Sequence, residues 1–194
     1  SRLGAIAITG WYIVQILASV GAGYLLLMYP LSWFSNLILA ALSLFIATRL
    51  RGLNNIVHEC SHYTFSEHRQ DNRILGSICA SFVLSCFSDY RDEHLTHHAH
   101  LGDMENDKDL QGIRNLNLQE TITPATIARH IITPLIGVHL PYYLNPNLSA
   151  RDGRLYWLIK MALIVGAVTL LLFQPLAALI LVWLPYVWMY IELN

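Results

Sequence analysis

The chain has 194 residues, of which 55% are hydrophobic and only 13% are charged. That charged share is about half of what soluble domains carry, so the composition excludes an ordinary soluble domain. The formal net charge of −1 offers no basic face for nucleic acid. The hydrophobic residues fall in blocks, which indicates a bilayer as solvent.

The first two apolar blocks predict a transmembrane hairpin. Residues 3–28 contain no charged side chain, and about 20 such residues span the hydrocarbon core as a helix. Residues 31–48 form a second apolar run, which Arg49 and Arg51 close. The turn between the runs is short, so we expect the two helices to be antiparallel neighbours.

Residues 49–154 form a more polar region that holds ten of the twelve Lys and Arg residues. By the positive-inside rule, this region and the N-terminus face the cytoplasm. Two shorter apolar stretches lie within it. Residues 74–88 are interpreted as an interfacial or re-entrant helix, and residues 127–144 as interfacial. The first is too short for a comfortable span, and a crossing there would separate two histidine motifs. The second is interrupted by Pro134 and Pro141.

A second hairpin is predicted from residues 155–173 and 176–191, with a turn at Gln174-Pro175. We expect Lys160, near the start of its first helix, to extend towards the membrane surface. The predicted fold is therefore an all-α, multi-pass integral membrane protein. It has two transmembrane hairpins and one domain over residues 1–194, with a cytoplasmic or interfacial helical region between the hairpins.

Two histidine motifs lie in that central region. The first is His58-Glu59-Cys60-Ser61-His62, directly after the second apolar run, and we expect the helix to continue through it. Histidines four residues apart share a helical face, so both imidazoles can reach one ion. Asn54, one turn earlier on the same face, is a candidate supporting residue.

The second motif, His94-Leu95-Thr96-His97-His98, places three histidines on one helical face at positions i, i+3 and i+4. His100 points nearly the opposite way and is excluded. Imidazole suits zinc, copper, iron and nickel. Since one zinc takes only three or four protein ligands, five candidates favour two metal ions.

Other polar residues receive plainer interpretations. Metal-bound histidines usually have their second nitrogen oriented by a carboxylate or a carbonyl. Taken singly, each nearby carboxylate is more often a solvated charge, as is the acidic run at 103–109. The isolated His68, His130 and His139 are interpreted as structural, and Cys60, Cys79 and Cys86 as buried apolar side chains without a metal-binding pattern. The candidate carboxylates are Glu59, Asp92, Glu93 and Asp103.

With these motifs, the chain resembles the membrane fatty acid desaturases and their hydroxylase and carotenoid-oxygenase relatives. The resemblance rests on HECSH at 58–62, HLTHH at 94–98, GDMENDKD at 102–109, and the arrangement of two histidine boxes between two hairpins. It implies an oxidoreductase with two iron ions, cycling between Fe²⁺ and Fe³⁺, and dioxygen as oxidant. It also implies a cytochrome b5-like or ferredoxin-like electron donor and a fatty acyl or other lipid hydrocarbon substrate, which is desaturated or hydroxylated. The implied iron ligands are His58, His62, His94, His97 and His98.

One departure from the family pattern stands out. The family carries a third box, HxxHH, after the fourth transmembrane helix, whereas this sequence ends at Asn194 without one and begins with Ser1 rather than Met. We therefore expect the sequence to be a fragment that by itself does not hold both irons or turn over.

Two other functions remain open. HECSH also satisfies HExxH, the zinc metalloprotease signature, in which the glutamate is the general base. Intramembrane proteases of this kind use a later transmembrane aspartate, which neither apolar run after residue 154 contains, and that function leaves His94, His97 and His98 unexplained. The second alternative is a non-catalytic membrane scaffold that retains vestigial boxes.

Overall fold

In a computed structural model of the chain, every regular element among the described residues is helical, as the sequence predicted. The structure describes residues 1–103, 105–112, 114–117, 120–136, 138 and 146–192. Single helical turns lie at Arg114–Leu116 (3₁₀) and Leu179–Trp183 (π). The α-helices are α1 (Arg2–Leu27), α2 (Trp33–Ser61), α3 (Arg69–Phe82), α4 (Phe87–Ala99), α5 (Lys108–Gly112), α6 (Pro124–Leu135), α7 (Arg154–Phe173), α8 (Pro175–Ala178) and α9 (Leu184–Glu192).

Helices α1 and α2 pack closely along their lengths. Ser32 begins α2 with a capping box, in which its hydroxyl accepts from the Ser35 N–H while the Ser35 hydroxyl accepts from the Ser32 N–H. Gly52 of α2 lies against the ring of Tyr12 of α1, where a Cβ atom would lie 2.0 Å from Tyr12 Cε1. Helix α2 runs for 29 residues without a break, so the prediction that it continues through the first histidine motif is confirmed.

Helix α3 returns the chain towards α2 and leads into α4. It has 14 residues, about 21 Å of helix, against the roughly 30 Å of a bilayer core. Its buried face packs Leu75, Cys79 and Ala80 into the same core as Leu53 and Val57 of α2. The three cysteines are buried and free, as predicted.

In the part of the chain that the structure describes, three helices, α1, α2 and α7, are long and apolar enough to cross a membrane. The predicted fourth span, residues 176–191, falls on α8, the π turn and α9, and its apolar part, Pro175–Tyr190, is shorter than those three. Large apolar side chains cover the outer faces of the long helices, among them Leu172 and Phe173 at 74% and 76% exposed. Water does not stabilise a surface of this kind, and the protein is a membrane protein.

The structure corrects the prediction for Lys160 and covers only part of the helix predicted over residues 127–144. Lys160 does not extend to the membrane surface, because its side chain is fully buried and bonded to backbone carbonyls. The interfacial helix predicted over residues 127–144 corresponds in part to α6. Residues 137 and 139–145 of that stretch, with His139, lie outside the described residues.

Candidate metal centre

The C-terminal turn of α2 and the middle of α4 bring four histidines to one point. One ring nitrogen from each lies within 4.8 Å of one from each of the others. The Nε2 atom of His94 lies 2.9 Å from Nε2 of His62 and 3.1 Å from Nε2 of His98. The four residues are His58, His62, His94 and His98.

The donor atoms suit a transition metal ion. Neighbouring imidazole nitrogens bound about 2.1 Å from one ion lie roughly 3.0–3.4 Å apart in tetrahedral or octahedral geometry. The separations around His94 are close to that range, and the donor set is purely imidazole, which suits iron or zinc rather than magnesium. The site therefore fits a metal ion of this class.

His94 is the most enclosed member of the group. Burial, together with the positive charge that His58 and His98 can carry, lowers the pKa of His94 from 6.5 to about 4. Tyr90, one turn earlier in α4, stacks on the His94 ring at a centroid distance of 5.3 Å. At neutral pH His94 is thus a neutral imidazole, which is the form that binds metal.

His97 lies beside this group but faces a different partner. Its ring centroid is 6.4 Å from that of His94 and 5.7 Å from that of His98. Its Nδ1 atom lies 2.8 Å from Oδ2 of Asp107. The structure thus gathers four of the five predicted ligands and ties the fifth to a carboxylate.

Asp107 is a candidate supporting residue that the sequence interpretation did not single out. The acidic run was interpreted as solvated charge, but the Asp107 side chain is 0% exposed, so for this residue the interpretation was wrong. Burial by itself raises the pKa of the Asp107 carboxyl. Hydrogen bonds from the Leu110 N–H and the His97 ring outweigh burial and hold the pKa below its usual value. The available signal was its place in the GDMENDKD stretch that follows the second box.

Among the predicted supporting residues, Glu59 contacts a histidine of the cluster. Its Oε1 atom lies 3.4 Å from His58 Nδ1, and its Oε2 accepts from the Thr64 hydroxyl at 2.7 Å. Asp92 instead pairs with Arg151 at 2.6 Å. Asp103 accepts from the Glu105 N–H and the Asn106 amide within its own turn, Glu93 is exposed, and Asn54 makes no side-chain hydrogen bond in the described part of the chain.

His68, His100 and His130 lie outside the group of four clustered histidines. His100 is the exposed C-cap of α4, and His68 is the exposed N-cap of α3. His130 lies half-buried on α6, 3.4 Å from a guanidinium nitrogen of Arg129. Neither His68 nor His130 approaches the four clustered rings closely enough to share an ion with them.

Comparison with known proteins identifies a family for this chain. The family model for fatty acid desaturases matches residues 31–193, which include both histidine motifs. The chain belongs to the fatty acid desaturase family. Among the curated relatives of this desaturase-family chain, the Delta(12) fatty acid desaturase of Calendula officinalis is 31% identical over 107 residues, covering 53% of this chain and 27% of the relative.

Two further relatives show the chemical range of the family. A chloroplastic omega-3 fatty acid desaturase of Brassica napus is 29% identical over 152 residues, covering 75% of this chain and 35% of the relative. The oleoyl-12-hydroxylase of Ricinus communis is 32% identical over 113 residues, covering 56% of this chain and 29% of the relative. The matched part of this desaturase-family chain therefore spans about a third of the length of these relatives.

Proposed function

We propose that the protein is a membrane-bound, iron-dependent oxidoreductase that desaturates or hydroxylates a fatty acyl or other lipid hydrocarbon chain with dioxygen. The observation that carries the proposal is the meeting of His58 and His62 from α2 with His94 and His98 from α4. Membership of the fatty acid desaturase family supports the substrate class. Ionisable groups so near the end of a membrane helix are costly and usually mark a working site.

Two ions are proposed for the site of the whole protein. The four clustered imidazoles would hold one of them. His97 offers Nε2 to the second, because Asp107 engages its Nδ1. Bound iron supplies the redox chemistry and dioxygen activation that the attack on an unreactive C–H bond requires. The helices hold the imidazoles in place, and buried Asp107 keeps the ring of His97 in one orientation.

An apolar crevice supports a hydrocarbon substrate. It has a volume of about 550 Å³ and lies between α1, α2, α7 and α9. Its walls are almost entirely aliphatic and aromatic, and a lipid chain is the ligand that such walls bind. Lining residues include Val20, Leu50, Leu163, Leu181 and Tyr186.

The cluster favours an oxygenase over an HExxH protease. The protease needs two histidines and the carboxylate of Glu59, and it assigns no role to α4. In the structure His94 lies between His62 and His98, within 3.1 Å of each ring nitrogen. A purely structural scaffold has no need of four converging imidazoles, since such groups are costly to bring together without an ion.

The proposed topology places both histidine motifs on the cytoplasmic side of a multi-pass protein, because most Lys and Arg residues lie between residues 49 and 154. Relatives are named as cytochrome b5-dependent or ferredoxin-dependent desaturases. We therefore propose a small one-electron carrier of either class as the reductant. Since the relatives include desaturases and a hydroxylase, the product is an alkene or an alcohol.

The test is lipid analysis of cells that express the full-length protein or its His94→Ala variant at equal levels. A new double bond or hydroxyl group in the wild-type cells alone supports the proposal. Metal analysis of the purified protein separates iron from zinc. Unchanged lipids in both strains, or zinc in place of iron, contradict it.

A further inference from the structure

Lys160 of α7 is a buried cation that joins two distant chain segments. Its side chain is 0% exposed, and its Nζ donates to the carbonyls of Ser85 at 3.2 Å, Asn147 at 3.0 Å and Ser149 at 2.7 Å. An ammonium has three donors, so all three are used. Within the described part of the chain, no carboxylate oxygen lies within ion-pairing distance of Nζ. Ser85 lies just before α4, whereas Asn147 and Ser149 lie just before α7.

Asp152 binds the first turn of α4 from the same side. Its Oδ2 accepts from the Phe87 N–H at 2.7 Å, and its Oδ1 accepts from the Ser88 N–H at 2.8 Å and the Ser88 hydroxyl at 2.6 Å. The local N-cap, Cys86, makes no side-chain capping bond. A carboxylate more than sixty residues away therefore satisfies the free N–H groups of α4 and complements its dipole.

Neighbours of Asp152 bind the next turn of α4. The Asn147 amide donates to Asp89 Oδ2 at 2.9 Å. Arg151 donates to Asp89 Oδ1 at 2.9 Å and pairs with Asp92 at 2.6 Å. Residues 147–152, which we call the clamp segment, thus contact the first two turns of α4, and Lys160 anchors the segment to α7.

Hydrophobic packing holds α4 mainly near its start, where Phe87 lies in the core and Tyr90 packs against the core. Its buried residues are only Phe87 and His94. From Phe87 to His94 the helix rises about 10 Å, so a 10° tilt about its first turn moves the His94 ring by about 2 Å. Metal–ligand distances tolerate changes of about 0.2 Å. A small change in the polar contacts at the start of α4 therefore produces a larger displacement of the α4 histidines.

We propose that Asp152 and Lys160 are positioning residues for metal binding, and that they act through the clamp segment to hold His94 and His98 against His58 and His62. The inference rests on the proposed metal site but not on the reaction or the substrate. It assigns part of the metal affinity to side chains that follow the second histidine box by more than fifty residues and touch none of the imidazoles.

The test is Co²⁺ titration of the chain in detergent, followed by visible absorption, for the wild type, Asp152→Asn and Lys160→Met. Asparagine keeps the shape of Asp152, but an NH₂ group replaces one of the two oxygens that accept from the N–H groups of α4. Methionine keeps the volume of Lys160 without its donors. We expect each variant to bind Co²⁺ about tenfold more weakly, as is typical when a supporting residue is lost, with an altered absorption spectrum. The controls are Glu67→Gln and Lys108→Met, at two exposed residues. Both should bind Co²⁺ with the affinity and absorption spectrum of the wild type.

Circular dichroism and thermal unfolding separate positioning from folding. The inference is overturned if folded Asp152→Asn and Lys160→Met bind Co²⁺ with the same affinity and absorption spectrum as the wild type. This holds even if both variants unfold at a lower temperature. If Lys160→Met does not fold, the decision rests on Asp152→Asn and on the milder Ser88→Ala, which removes one of the three bonds to Asp152. A wild-type chain that binds no Co²⁺ overturns the proposed metal centre and this inference together. Binding that is equal in wild type and variants overturns the inference alone.

Discussion

His97 and Asp107 meet through a 2.8 Å contact between Nδ1 of the imidazole and Oδ2 of a fully buried carboxylate. A carboxylate at Nδ1 keeps the proton on that nitrogen and leaves the lone pair of Nε2 free for a metal ion. The backbone N–H groups of Leu110 and Gly102 also approach Asp107, at 3.2 and 3.4 Å, so the carboxylate is itself held in place. The turn after α4 thereby supports His97, a proposed metal ligand that α4 carries.

Replacing Asp107 with Asn should weaken metal binding. The neutral amide is a poorer acceptor for His97 Nδ1–H, and loss of such a supporting carboxylate costs about 10- to 100-fold in metal affinity. Iron content and Co²⁺ titration measure the effect. Asp103→Asn is the matched control, because Asp103 is exposed and accepts hydrogen bonds from the Glu105 N–H and the Asn106 amide of its own turn. Equal losses in the two variants would contradict a specific role for Asp107.

Replacing His94 with Ala should abolish tight metal binding, whereas His100→Ala should not. His94 lies between His62 and His98, so its removal opens the centre of the cluster. His100 is an exposed helix cap on the same helix. The measurement is metal bound per chain after dialysis against a weak chelator. Retention of tight binding by His94→Ala would remove His94 from the ligand set.

Replacing Gly52 with Ala should destabilise the α1–α2 pair. The added methyl would lie 2.0 Å from Tyr12 Cε1, and Arg49 lies over the Tyr12 ring at 5.0 Å, so the ring is not free to move aside. Such overpacking costs typically about 1–3 kcal/mol. Gly10→Ala is the control, because nothing lies within 4 Å of its added methyl. Thermal unfolding in detergent compares the two variants. Equal unfolding midpoints would contradict the prediction, because α1 and α2 would then accommodate the added methyl group without loss of stability.

The contribution of Asp89 to stability should fall on acidification. Burial raises the pKa of Asp89, but hydrogen bonds from Arg151 and Asn147 outweigh it and hold the pKa below its usual value. A depressed folded-state pKa stabilises the protein above the unfolded pKa, and this stabilisation is lost as the pH falls through the folded pKa. At pH 6 we expect the wild type to be more stable than Asp89→Asn by up to about 1 kcal/mol, since the site is partly exposed. Denaturant unfolding at pH 6 and pH 3 should show the difference shrinking, and a constant difference would contradict it.

Much of the architecture follows from local sequence. A bilayer requires about 20 apolar residues per crossing, so the apolar blocks mark α1, α7 and the start of α2 to within a few residues. The spacing of His58 and His62, and of His94 and His98, places each pair on one helical face. The acidic stretch after the second box was visible, but nothing in its pattern distinguishes buried Asp107 from its exposed neighbour Asp103.

The sequence by itself thus determined that the protein is helical and membrane-embedded, and which histidines share a helical face. Only the tertiary structure decided that four of the five imidazoles meet while His97 faces Asp107, and that Lys160 is buried. Helical periodicity is a property of neighbouring residues and can be read along the chain. The partners of a buried charge come from segments such as 85–88 and 147–152, which are brought together only when α7 packs against α3.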